Sequence, residues 1–340
     1  MAGTPGQGRQ IGTATKIAAT AGAFVAAGVA AKLLNNRQTE RRRLRRGEDV
    51  AFGSVHSASR KVVSADGIRI NAEVDEPELE APHLPTIVFV HGVICTLDTW
   101  HYQRLALRGK VRMVFMDQRS HGASDVADRE NSTIENLAAD LHAVIEACTD
   151  GPVVLVGHSM GGMTIMQLAA DHPELFGDEQ RVVGVVLLST SSRLPLVSSP
   201  IMRRIVPFAR RAAPAVDWGK GFNSYSVVRR WGLGPNAQER HVDMTNEMIL
   251  RAPTRVLTDF HPMFAELDVR HALETLSLIP TVVVAGTHDA VTPLSHSRRI
   301  ANGIAGSSLV IFEDIGHMAM FEEHVRVTEL IFDLVEKTAP

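Results

Sequence analysis

Six short runs of apolar, largely β-branched residues restrict what this chain can fold into. They are TIVFV (86–90), VRMVFM (111–116), PVVLV (152–156), VVGVVLL (182–188), PTVVVA (280–285) and SLVIF (308–312). Each is apolar at nearly every position rather than at alternate ones, so both faces of each strand must be buried. Segments with helical period separate them: Thr133–Ala147, Met160–Ala170, Pro293–Ile304 and Phe321–Glu336. This alternation predicts an α/β fold, with a mostly parallel central sheet and helices on both faces. An amino-terminal hairpin is expected over 59–74, turning at Asp66-Gly67. The segment 75–85, with three prolines, reads as a loop.

One stretch breaks the rhythm. From Thr190 to about Leu276 no parallel strand is evident, and amphipathic pieces occupy 201–213 and 237–257. This predicts a helical insertion, about 190–276, at the carboxyl edge of the sheet and over its crevice. The length of 340 residues at 45% hydrophobic suits one large domain with such an insertion. The expected organisation is therefore an apolar helix with a basic linker (1–57) followed by an α/β body (58–338). No internal repeat points to a solenoid or propeller.

The chemistry centres on Gly157-His158-Ser159-Met160-Gly161-Gly162, between a strand and a helix. G-x-S-x-G in that context is a nucleophile elbow, a sharp turn that lifts the serine hydroxyl above the sheet. The Met160 amide, at a helix start, can donate to a developing oxyanion. A serine needs a base, and the base needs an orienting carboxylate. In this architecture they follow in the order Ser, acid, His, each after a strand. Asp289, in the loop Gly286–Pro293, stands at the acid position. His317, after SLVIF, stands at the base position. A second oxyanion donor is expected from the loop after TIVFV, where the Val93 amide follows Gly92.

Other polar residues near these motifs read as scaffold. His288 precedes the expected base by a whole strand, and His158 should point away from the cleft. His91 reads as a buried histidine bracing its loop. Cys95 reads as a small packing residue. Ser189–Ser192, after VVGVVLL, offers no carboxylate.

The chain resembles the α/β-hydrolase family with a cap domain over about residues 60–338. The motifs, in order, are His91-Gly92 followed by Trp100; Asp117–Ser124; Gly157–Gly162; Gly286–Pro293; and Gly316-His317. In the second motif Ser120 replaces a glycine usual in the family. Asp117 and Arg119 there are expected to pair with each other or to cap backbone. Relatives that open epoxides or displace halide carry aspartate in the elbow, so Ser159 argues against both. The resemblance implies a serine hydrolase, esterase-like or lipase-like, acting on a small and apolar ester through an acyl-enzyme. A perhydrolase (cofactor-free haloperoxidase) or a carbon–carbon bond hydrolase would use the same triad. No cofactor and no metal are implied, since phosphate loop, dinucleotide fingerprint and ligand cluster are all missing.

Charge is uneven. Residues 1–46 carry nine Lys/Arg against one Glu, and the remainder carries 26 against 37. The acidic body argues against nucleic-acid binding. The head contains IAATAGAFVAAGVAA (17–31), extended by Leu33 and Leu34, and then six arginines between 37 and 46. The run is at the short edge for a membrane span, and Lys16 and Lys32 could snorkel to its two ends. The positive-inside rule keeps the arginine flank and the enzyme body cytoplasmic. Membrane association through this helix is the expected arrangement. A soluble or peripheral helix and a cleaved export signal remain alternatives. Two cysteines, Cys95 and Cys148, without ligand spacing, fit a reducing compartment.

Overall fold

A computed structural model describes residues 50–78, 84–194 and 200–340, with backbone only at 200–209 and 222–223. The apolar and basic head and part of the 75–85 segment lie outside the described residues. Among those described, no helix is long and apolar enough to cross a membrane.

Eight strands form one sheet: β1 (Ser59–Val63), β2 (Arg69–Asp75), β3 (Thr86–Val90), β4 (Met113–Asp117), β5 (Val153–His158), β6 (Val182–Leu188), β7 (Thr281–Gly286) and β8 (Ser308–Phe312). Their order is β1-β2-β4-β3-β5-β6-β7-β8. Neighbours from β4 to β8 are parallel, while β2 runs antiparallel to both β1 and β4. The chain leaves β3 for β4 on one side and crosses back to β5 on the other. That reversal opens a crevice at the carboxyl ends of β3 and β5.

Every residue of β3, β4, β5 and β6 is buried. Alternate side chains feed two separate cores. Val88, Val90, Leu155 and Val185 pack with the helices Ile134–Cys148 and Met160–Asp171. Ile87, Phe89, Val154 and Val186 pack with Trp100 and the last helix, His324–Lys337. The phenyl rings of Phe89 and Phe115 stack at 4.8 Å across β3 and β4.

The expected hairpin forms, and Gly67 takes φ +88° in its turn. Two local expectations need correction, and one helix carries no sequence signal. The helix expected over Phe321–Glu336 is two, Ala319–Glu322 and His324–Lys337, parted at Glu323. The amphipathic segment 237–257 is also two, Glu239–Arg251 and Thr254–Glu266. Pro253 pushes Ala252 to an extended ψ of 128° and ends the first. A helix at His101–Leu107 lacks an apolar signature because it buries Arg104. That guanidinium meets Asp75 at 2.6 and 2.9 Å and Glu73 at 2.8 Å, and lies 4.6 Å over the Phe115 ring.

Between β6 and β7 the chain builds the helices Pro200–Val227, Glu239–Arg251, Thr254–Glu266 and Ala272–Leu276. Two contacts seat them against the loops at the sheet's carboxyl end. Phe260 lies 5.7 Å from the His121 ring, and the Thr99 hydroxyl points at the Met248 sulfur, 3.5 Å away.

Arg119 and Asp117 do not pair with each other. Arg119 forks onto Asp140 at 2.6 and 2.8 Å and reaches Asp66 at 2.8 Å. Asp117 caps backbone, accepting from the Leu97 and Ala123 amides at 2.9 and 3.0 Å. Both Arg119 and Asp140 are fully buried. Removing Asp140 leaves the buried guanidinium with only Asp66 and the Asn131 carbonyl, which costs about 3–5 kcal/mol. Asp140→Leu should lower the urea midpoint accordingly, and a loss below about 1 kcal/mol would show that the pair contributes little.

Candidate functional site

Ser159 follows β5 and opens the helix Met160–Asp171. Its backbone sits at φ +52°, ψ −116°, a region that L-residues avoid. Four bonds hold it there, one of them from the Met163 amide to the Ser159 carbonyl at 3.2 Å. The Ser159 N–H donates to the Leu188 carbonyl at 3.0 Å. The Ser159 carbonyl accepts from the Gly162 amide at 3.0 Å and from the Thr190 hydroxyl at 2.6 Å. The helix ladder thus begins at Gly162, and the Met160 amide stands ahead of it.

The elbow needs glycine for space. A Cβ on Gly161 would lie 2.1 Å from the Val90 carbonyl oxygen, at the end of β3. One on Gly92 would lie 2.9 Å from the His158 ring and 3.1 Å from the Ser159 Cβ. The loop after β3 therefore runs against the elbow, with Val93 next in sequence. The amides beyond it are engaged: Ile94 donates to His121 Nε2 at 3.1 Å and Cys95 to the Gly92 carbonyl at 3.3 Å.

His91 and His121 brace that loop. The Gln118 amide donates to His91 Nε2 at 3.0 Å, so the proton is on Nδ1, which donates to the Gly92 carbonyl at 2.7 Å. His121 repeats the arrangement, accepting at Nε2 and donating from Nδ1 to the Arg119 carbonyl at 2.8 Å. Burial pushes their pKa values down to about 4 and about 3, so both stay neutral. Cys95 is buried beside them, and burial pushes its thiol up to about 11. That is the state of a packing residue rather than a thiolate.

Asp289 and His317 come from the loops after β7 and β8. His317 Nδ1 lies 2.9 Å from Asp289 Oδ2. The same carboxylate accepts from the Thr292 hydroxyl at 2.8 Å and from the Val291 and Thr292 amides at 2.9 and 2.8 Å. Burial opposes the Asp289 charge, but His317 and these donors outweigh it and hold the carboxyl below its ordinary pKa. An ionised acceptor fixes the proton of His317 on Nδ1 and leaves Nε2 free to take one.

His158 corrects its sequence reading. Its ring packs 4.7 Å from the ring of His317 rather than turning away, and its Nε2 donates to the His317 carbonyl at 3.0 Å. Burial holds it neutral. It ties the residue before the serine to the backbone of the residue offered as base. His288 is half exposed and meets Asp314 at 3.5 Å. Thr292 bonds Asp289 and Thr190 bonds the Ser159 carbonyl, and neither carries a sequence signal beyond its nearness to a motif.

A cavity of about 450 Å³ lies beside Cys95, Asp117, His121 and Arg251, and Ser159, Asp289 and His317 do not line it. Among the described residues, no cluster of three or more His, Cys, Asp or Glu could hold a metal ion.

The contact between Gly161 and Val90 is backbone against backbone and cannot be relieved by a rotamer. Gly161→Ala should therefore lose about 1–3 kcal/mol in a urea titration, and an unchanged midpoint would contradict so close an approach.

The sequence pattern of the Alpha/beta hydrolase family matches residues 87–330. The 3-oxoadipate enol-lactonase 1 of Acinetobacter baylyi is 23% identical over 287 residues, spanning 84% of this chain and 99% of its own length. Uncharacterised proteins of Mycobacterium tuberculosis and Mycobacterium bovis are 26% identical over 275 residues, 75% of this chain and 76% of theirs. A thermophilic esterase from Thermogutta terrifontis superposes with a TM-score of 0.67 at 26% identity, covering 84% of this chain and all of the esterase. With eight strands in this order and that pattern across most of its length, the chain belongs to the alpha/beta hydrolase family.

Proposed function

We propose that the chain is a serine hydrolase that cleaves a small, apolar carboxylic ester through an acyl-enzyme. The observation that carries this reading is the bond of 2.9 Å between His317 and Asp289, with the His317 ring packed 4.7 Å from that of His158, the residue before a serine at φ +52° on a strand-to-helix elbow. The Ser159 hydroxyl attacks the ester carbonyl while His317 Nε2 takes its proton. The amides of Met160 and Val93 receive the oxyanion. The tetrahedral adduct collapses, the C–O bond breaks, and His317 protonates the departing alcohol. Water, deprotonated by His317, then releases the acid and restores Ser159. Asp289 stays ionised and stabilises the imidazolium that forms in each half.

Related proteins named as an esterase and an enol-lactonase support an ester or lactone as substrate. The apolar preference rests on the insertion, whose Leu233, Met248 and Phe260 are buried near the site loops. Perhydrolysis or carbon–carbon cleavage would use the same three residues. A panel of p-nitrophenyl acyl esters of graded chain length, run with and without peroxide, separates ester hydrolysis from perhydrolysis. Ser159→Ala and Asp289→Asn should each lower kcat at least ~10²-fold with the fold intact. Ester turnover that survives Ser159→Ala refutes the assignment.

The reading includes an organisation in which residues 1–57 precede a body of 58–338. Under it, the apolar run at 17–34 associates with a membrane and leaves the body on the cytoplasmic side. Fractionation of the full-length protein tests that attachment. Recovery with the membrane at low and high salt is expected, and release at low salt contradicts it.

A further inference from the structure

Three hydrogen bonds join the loop bearing His317 to the insertion. The His317 N–H donates to the Gly232 carbonyl at 3.0 Å. Glu322, at the end of the short helix Ala319–Glu322, supplies the other two. Its Oε1 accepts from the Gly316 amide at 2.9 Å, and its Oε2 accepts from the Gly234 amide at 2.8 Å. One carboxylate thus satisfies a backbone donor on each side of the junction.

The junction is tight. A Cβ on Gly316 would fall 2.5 Å from the Leu233 backbone, and one on Gly234 would fall 1.9 Å from the Asp314 carbonyl oxygen. A shift of residues 232–234 is therefore transmitted to the loop that carries His317.

Two charged groups act on Glu322 from the elements around it. Arg229, in the turn that ends the long insertion helix, favours the ionised form, and its own guanidinium is held by the Ala237 and Pro235 carbonyls at 2.7 and 2.9 Å. Asp289, after β7, opposes it. Burial is the largest influence. It pushes the Glu322 carboxyl up to about 7 against the two amide donors and Arg229. A group that accepts two backbone bonds only when ionised therefore titrates near neutrality.

We propose that Glu322 is a positioning residue whose ionised carboxylate clamps the Gly232–Gly234 turn to the Gly316–His317 loop, so that protonation of Glu322 loosens the base. The proposal rests on the reading of Ser159, Asp289 and His317 as the catalytic triad. On protonation one oxygen becomes a hydroxyl, which accepts poorly from a backbone amide. Glu322→Gln reproduces that state at every pH while keeping size and shape.

The test compares wild type and Glu322→Gln by two readouts. The first is kcat against pH with a p-nitrophenyl ester. The wild type should exceed the variant about tenfold at about pH 8, and the ratio should fall towards one by about pH 5.5, where both carry a neutral side chain. A purely structural role would give a ratio independent of pH, and that result overturns the proposal. The second readout is amide hydrogen exchange at Gly234 and Gly316, which needs no turnover. The variant should exchange faster at both sites at about pH 8, and equal protection overturns the clamp. Should the variant fail to fold, protection of these amides in the wild type, corrected for intrinsic rates, should still drop as pH falls through about 7. A wild type that hydrolyses no ester would sink the triad reading, while the exchange result would still decide the clamp.

Discussion

Ser159 is the point at which the fold is under constraint. A left-handed φ on a residue with a side chain costs on the order of 1–3 kcal/mol and persists only where its surroundings over-determine it. Here β6 supplies an acceptor through Leu188, the loop after β6 supplies a donor through Thr190, and the following helix closes onto the Ser159 carbonyl. The helix can begin there because Gly161 lets its first turn lie against the Val90 carbonyl of β3. Three adjacent strands, β3, β5 and β6, are thus locked together at Ser159.

The polar residues around that point form a frame. His91, His121 and His158 are neutral, and each directs a ring N–H to a backbone carbonyl, at Gly92, Arg119 and His317 respectively. Asp117 serves the same end through the Leu97 and Ala123 amides. Burying such groups is tolerable because they are paired. What they hold is main chain: the loop that carries Val93 and the loop that carries His317. Preorganised amides gain from rigidity, since a donor that must first be oriented stabilises a developing charge less.

Much of this was legible in the residues. The strands were readable because a parallel sheet covered on both faces demands apolar side chains at consecutive positions. The candidate acid and base were readable because each lies just after such a strand. The geometry adds the bond between His317 and Asp289 and the contact between His158 and His317. The helix at His101–Leu107 was not legible, because its buried face is held by an ion pair between Arg104 and Asp75, two residues far apart in sequence. Glu322 was illegible for a similar reason. A glutamate in the first turn of a helical pattern looks like solvated surface, and only the tertiary fold brings Gly234 to its second oxygen.

As the proposed nucleophile, the Ser159 hydroxyl should become covalently bonded to the acyl or phosphonyl group of a reacting substrate. Incubation with a fluorophosphonate, followed by intact-mass measurement and peptide mapping, tests it most directly. The account predicts one adduct per chain, located on the peptide that contains Gly157–Gly162 and lost in Ser159→Ala. An adduct on another residue, or labelling that persists in Ser159→Ala, would contradict it.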